Sequence, residues 1–260
     1  NSVNAPPVVT NSSAETSANS PPPLENPRIF PSSTTRSTTP LVHYASLTDD
    51  ERRLVAKSVI ERADGLPVTL GTTSSSTQAA IVRSLEAESL GATAVMVAAP
   101  QMLRPNPDAL FVHYQRIADA VDLPIVVQDY PQATGVRMSV PFISRLAEDV
   151  PGVRYLKLED PPTSPKISAL KDSVGNIIGI FGGLGGVFLL DELARGSIGA
   201  MTGFAYPELL VEVCKYMADG NRKKAEAVFY RHLPLILFEG QEGIGLSIRK
   251  EALHHRGLIA

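Results

Sequence analysis

The sequence is short of several things, and each shortage closes off a class of explanation. It has one cysteine, Cys214, which excludes an intrachain disulfide and a multi-cysteine metal site. Cys214 lies at helical spacing among apolar residues in PELLVEVCKYMADG, the setting of a buried structural thiol. No apolar run approaches the roughly 18 residues that a membrane helix needs, so no membrane partner is expected. The 24 lysines and arginines are offset by 27 aspartates and glutamates, for a formal charge of −3. They nowhere gather into the basic run on which phosphate-backbone binding depends, so no nucleic-acid partner is expected. The histidines, His43, His113, His232, His254 and His255, lack the i+4 partner and nearby carboxylate of a helical metal site. No Ser-His-Asp or Cys-His set is present. FGGLGG at 181–186 is not a GxGxxG dinucleotide fingerprint, and no acidic residue follows at the required place.

What remains is a chain of 260 residues, enough for one large α/β domain or two small ones. Its composition changes near residue 41. Residues 1–43 are rich in Ser, Thr, Asn and Pro, with prolines at 6, 7, 21, 22, 23, 27, 31 and 40. Proline removes backbone donors and breaks helices. Too few apolar side chains are left to offset the entropy of ordering, so a disordered or loosely draped arm is expected. Arg28 and Arg36 are cancelled by Glu15 and Glu25, which makes a targeting role weak and a cytoplasmic location the expectation.

From residue 47 the pattern becomes regular. A helix opens at the Thr48 cap with acidic residues in its first turn and ends by Gly65. Short strands without a polar face then alternate with helices: LPVTLG, ATAVMVAAP, LPIVVQD, GVRYLKLED, IIGIFGG and IGAMTG. Strands apolar on both sides and spaced by helices imply a covered parallel sheet. Polar residues gather just after the strands: Thr72, Thr73, Gln101, Gln128, Asp129, Lys157, Glu159, Gly182, Gly183 and Thr202. In a barrel such positions form the catalytic face. The reading is an α/β chain in which residues 44–220 supply strands 3–8 of a (β/α)8 TIM barrel, with strands 1 and 2 lacking or altered. Helices over 221–260 close the chain. An open doubly wound sheet is the alternative.

Lys157 lies inside the strand VRYLKLED. Alternation puts Val153, Tyr155 and Lys157 on one face and Arg154, Leu156 and Leu158 on the other. A lysine on a buried strand sheds hydration, which favours the neutral amine that attacks a ketone. A plain ion pair with Glu159 or Asp160 explains the residue equally well. Lys57, Lys166, Lys171, Lys215, Lys223, Lys224 and Lys250 all fall in or beside helices, where water is expected to keep them charged. Gln128 and Asp129 either orient a substrate group or cap a strand end. The glycines of FGGLGG either offer amides to an anion or allow tight packing.

The segments SLTDDER, LPVTLG with STQAAI, LGATAVMVAAP, HYQRIADAVDLPIVVQDYP, YLKLED, GGLGG and GAMTG occur in this order. Together they resemble the dihydrodipicolinate synthase / N-acetylneuraminate lyase family over roughly residues 44–258. The resemblance implies a barrel whose sixth-strand lysine, here Lys157, forms a Schiff base with pyruvate or another 2-oxo acid. It also implies a homo-oligomer, tetramer or dimer, needing no metal or organic cofactor. Gln128 stands where the family has its proton-relay tyrosine, with Tyr130 two residues on. Ala133 stands in place of the synthases' arginine, and Gln101-Met102 in place of a tyrosine pair. TTPLVHY occupies the place before Tyr44 where a carboxylate-binding loop belongs. The first three departures argue against lysine-pathway synthase activity. They resemble a subgroup carrying Gln-Asp-x-Pro, which dehydrates or cleaves 2-oxo-3-deoxy sugar acids. The expected site is Lys157 and Gln128 for catalysis, with Asp129, Tyr130, Thr72, Gln101, Glu159, Gly183 and Thr202 binding substrate. An impaired paralogue serving as a binding or regulatory subunit is the competing expectation, because strands 1 and 2 are not recognisable.

Overall fold

A computed structural model of the chain describes residues 47–101 and 106–260. The expectations for the arm 1–43, and for Tyr44 and Met102, lie outside the described residues. Six strands form one parallel sheet: β1 (Thr69–Gly71), β2 (Ala94–Ala98), β3 (Ile125–Asp129), β4 (Val153–Leu158), β5 (Gly179–Gly182) and β6 (Gly199–Ala200). Their spatial order is their chain order, 1-2-3-4-5-6. A doubly wound sheet reverses its strand order at a switch point, and no reversal occurs here. The architecture of the described residues is an open arc of a barrel. Among the described residues β1 and β6 are its free edges, and two strands would be needed between them to complete eight.

Helices follow the strands because each is signalled locally. The first, α1 (Asp49–Arg62), begins with a capping box in which Thr48 accepts from the Glu51 amide and the Glu51 side chain accepts from the Thr48 amide. Ser76 caps α2 (Thr77–Ser89), Asn106 caps α3 (Pro107–Ala118), and Ser139 caps α5 (Val140–Asp149). A single turn, α4 (Pro131–Thr134), separates β3 from α5 and ends on the left-handed Gly135. After β4 comes α6 (Thr163–Val174). After β5 come a 3-10 turn (Leu184–Gly186) and α7 (Leu189–Ala194). The chain closes with α8 (Pro207–Ala218), α9 (Arg222–Glu239) and α10 (Gly245–His255).

The two faces of the sheet are covered differently. On the outer face Val95, Val97, Ile125, Val127, Leu156, Leu158 and Ile180 pack under α2, α3, α5 and α6. Each fully buried side chain of this kind contributes about 1.5–3 kcal/mol. On the inner face Ala94, Val126, Tyr155 and Phe181 form a separate cluster with Met96 and Met201. Gly179 leaves room there for the Tyr155 ring, which a Cβ would strike at 2.8 Å. A third cluster joins α7, α8 and α9 to Phe204 in the turn after β6. The closing helices therefore share a core with the end of the barrel arc. They are also tied to it by Glu239, which is buried, accepts from the Ala205 amide and pairs with Arg249 of α10.

The alternation expected along β4 holds for Tyr155 and Lys157 but not for Val153. The register between β3 and β4 shifts after Ile125, which faces Val153, so that Val126 faces Tyr155. Arg154 is the extra residue of this bulge, and it returns Val153 to the outer cluster.

Candidate active site

The inner face ends in a row of side chains at one level. Ala98 of β2 is in register with Gln128 of β3, Gln128 with Lys157 of β4, and Lys157 with Phe181 of β5. Parallel partners share a face, so Gln128 and Lys157 stand on the inner face above Val126 and Tyr155. Two residues beyond Lys157, the same period returns Glu159 to that face. The Lys157 Nζ lies 3.2 Å from Glu159 Oε2, with the two side chains 14% and 9% exposed. Gln128 Nε2 donates to the same oxygen at 2.7 Å. The Leu184 amide donates to the other oxygen, Oε1, at 3.4 Å. Gly183 abuts Glu159 so closely that an added Cβ would overlap its side chain. The GGLGG turn thus aims an amide at a carboxylate of the chain itself.

Tyr130 flanks this group. Burial, and then the charges of Glu159 and Glu242, raise its hydroxyl above the ordinary tyrosine range, so it stays protonated.

The remaining expected residues stand elsewhere. Asp129, one residue past Gln128, faces the helix layer, where Lys166 Nζ of α6 donates to it at 2.6 Å. The same ammonium reaches the Met138 carbonyl at 2.6 Å and Asp160 at 3.1 Å. Burial pushes the Asp129 carboxyl up, against the pull of Lys166. The expectation that water surrounds the helix lysines fails at Lys166, whose side chain is only 12% exposed. The polar residues flanking it on three chain segments had no common sequence signal. Thr72 also faces outward and shares a 2.8 Å hydrogen bond with Ser84 of α2. Its neighbour Thr73 instead accepts from the Ala98 amide at the end of β2. Gln101 is exposed and donates to the Ala133 carbonyl at 3.4 Å. Thr202 accepts from the Phe204 amide within its own turn. A depression lined by Pro131, Gln132, Gly135 and Arg137 does not include Lys157.

Glu192 of α7 is a further buried acid that the sequence did not single out. Thr163 donates to its Oε1 at 2.7 Å, and its Oε2 lies against Gly182 without a hydrogen-bond partner. Burial raises this carboxyl to about 7. Among the described residues no three His, Cys, Asp or Glu side chains group to hold a metal ion.

A barrel arc that carries a strand lysine and a carboxylate at the C-terminal ends of its strands belongs to the class of (β/α)-barrel proteins whose chemistry sits on that face. Comparison with known proteins narrows the class. Residues 43–260 match the model of the dihydrodipicolinate synthetase family, and the chain belongs to that family. It is 34% identical over 220 residues to the L-2-keto-3-deoxyarabonate dehydratase of Azospirillum brasilense, covering 83% of this chain and 71% of the dehydratase. It is 28% identical over 215 residues to a 4-hydroxy-tetrahydrodipicolinate synthase of Phocaeicola vulgatus, covering 82% of this chain and 72% of that enzyme. Its structure resembles that of a dihydrodipicolinate synthase from Rhodopseudomonas palustris, with a TM-score of 0.76 and 35% identity, over 83% of this chain and 73% of that one.

Proposed function

We propose that the chain is a Schiff-base-forming lyase that acts on a small 2-oxo acid, with Lys157 as nucleophile. One observation carries the reading. Lys157 is a strand lysine at the C-terminal end of the inner face, set among polar groups, and it keeps part of its side chain exposed. Its amine would attack the C2 carbonyl and expel water to leave an iminium, which then draws electrons from a bond to C3. The iminium is itself the electron sink. Gln128 and Tyr130 border the space where substrate would lie.

Within this class we favour dehydration of a 2-oxo-3-deoxy sugar acid over condensation with aspartate semialdehyde. The likeness to the L-2-keto-3-deoxyarabonate dehydratase supports this. So does Ala133, which offers no guanidinium to clamp a second substrate's carboxylate. Incubation with L-2-keto-3-deoxyarabonate and related acids should give products lighter by one water in mass spectrometry. Efficient condensation of pyruvate with aspartate semialdehyde, without any dehydration, would overturn the preference. The competing reading, a non-catalytic binding or regulatory subunit, draws on the Lys157–Glu159 pair and on the open arc. It predicts no turnover of any 2-oxo acid.

A further inference from the structure

We propose that Glu159 is a catalytic residue, the carboxyl that moves protons between the Lys157 amine and the oxygen of the 2-oxo acid while the iminium forms. The inference rests on the Schiff-base reading above and assigns the group that the reading leaves open. The Lys157 amine faces a carboxylate at 3.2 Å, and in its ammonium form it has no lone pair with which to attack. A proton must leave Nζ, and later a proton must reach the departing oxygen.

Among the described residues, Glu159 is the one carboxylate within ion-pair distance of Nζ. The other groups nearby do not serve. Gln128 is an amide, which is neither acid enough to give up a proton nor basic enough to take one. The Tyr130 hydroxyl is held protonated by its surroundings. Asp129 and Asp160 are held by Lys166, and Asp129 faces the helix layer. Glu192 is bound to Thr163. Glu159 is also held in place at both oxygens, by Gln128 at 2.7 Å and Leu184 at 3.4 Å, with Gly183 closing the space behind it. A carboxylate fixed by neutral donors can exchange its charge with the lysine without moving.

The step balances with no further reactant. Nζ passes one proton to Glu159 Oε2, leaving a neutral amine and a neutral carboxyl. The amine's lone pair forms the N–C2 bond, and the C2–O π pair moves to oxygen. One nitrogen proton transfers to that oxygen, giving a neutral carbinolamine. Glu159 then returns its proton to the carbinolamine hydroxyl. The C2–O bond breaks, water leaves, and the nitrogen lone pair closes the iminium. The three protons of the original ammonium end as one on nitrogen and two on water. The iminium cation faces the regenerated Glu159 carboxylate.

The test is the rate at which the full-length chain with pyruvate becomes trapped by borohydride, compared among native, Glu159→Gln and Glu159→Asp proteins whose circular dichroism matches. Removing a positioned proton-transfer group should slow trapping in Glu159→Gln by about 100-fold or more. Glu159→Asp keeps an ionisable carboxyl one methylene short and should recover at least about tenfold of that loss. Trapping in Glu159→Gln at the native rate or faster would overturn the inference. A carboxylate that merely holds Lys157 charged would give faster trapping on its removal. An aspartate variant no faster than the glutamine variant would also overturn the inference, since shape and not an ionisable group would then matter. If native protein traps while Glu159→Gln traps equally fast, this inference alone falls. A native protein that forms no adduct brings down the Schiff-base reading with it.

Discussion

Gln128 and Asp129 are adjacent in one strand and end in opposite settings. Gln128 reaches the inner face and Glu159, while Asp129 turns outward to a buried lysine. Strand alternation contains this information, because a residue next to an inward one must face outward. The same rule separates Thr72 from Thr73 and places Lys157 and Glu159 together. Reading polar residues after a strand as one cluster hides the distinction. Lys166 and Glu192 were beyond any such rule, because their burial comes from segments far apart in the chain. Glu192 gives a test at this scale. Its carboxyl is raised from 4.5 to about 7 in the folded chain, so the folded state holds a proton that the unfolded state has lost. Its stabilising effect is fully present below about pH 4.5 and is lost as the pH rises through about 7, a change of about 3 kcal/mol. Glu192→Gln cannot titrate. The difference in melting temperature between variant and native protein should move in the variant's favour from pH 4.5 to 7.5. A difference that stays constant across that window would contradict the burial argument.

Most elements were legible from local signals. The caps at Thr48, Ser76, Asn106 and Ser139 mark four helix starts, and continuous apolar runs mark the buried strands. The bulge at Arg154 was not legible, since it arises from pairing with β3 and reverses the phase of Val153. The meaning of GGLGG was also undecided in the sequence. The structure explains the first part of it, since Gly183 is fixed by the absence of space beside Glu159. Gly183→Ala should therefore displace Glu159 at modest cost to stability, about 1–3 kcal/mol by denaturant unfolding. Trapping with pyruvate should slow by roughly 10- to 100-fold, as expected when a reacting group is misplaced by about 1 Å. Unchanged trapping in a folded Gly183→Ala protein would show that Glu159 can retreat without consequence.

At the scale of the whole molecule, the strand order 1-2-3-4-5-6 and the two distinct clusters on the sheet define a barrel wall. The alternation of strands and helices foretold this wall, because buried parallel strands need crossovers that cover them. Closure was not legible. It depends on what pairs with the edges that β1 and β6 present among the described residues, and strands signal their own faces more strongly than their neighbours. The account of function depends on one amine at the C-terminal rim of this wall. The most direct test is to treat the full-length chain with pyruvate and borohydride and to locate the adduct by peptide mass spectrometry. The prediction is a single adduct on the peptide that contains Lys157, absent from a folded Lys157→Ala variant. No adduct on the native chain, or an adduct that persists in the alanine variant, would contradict the account.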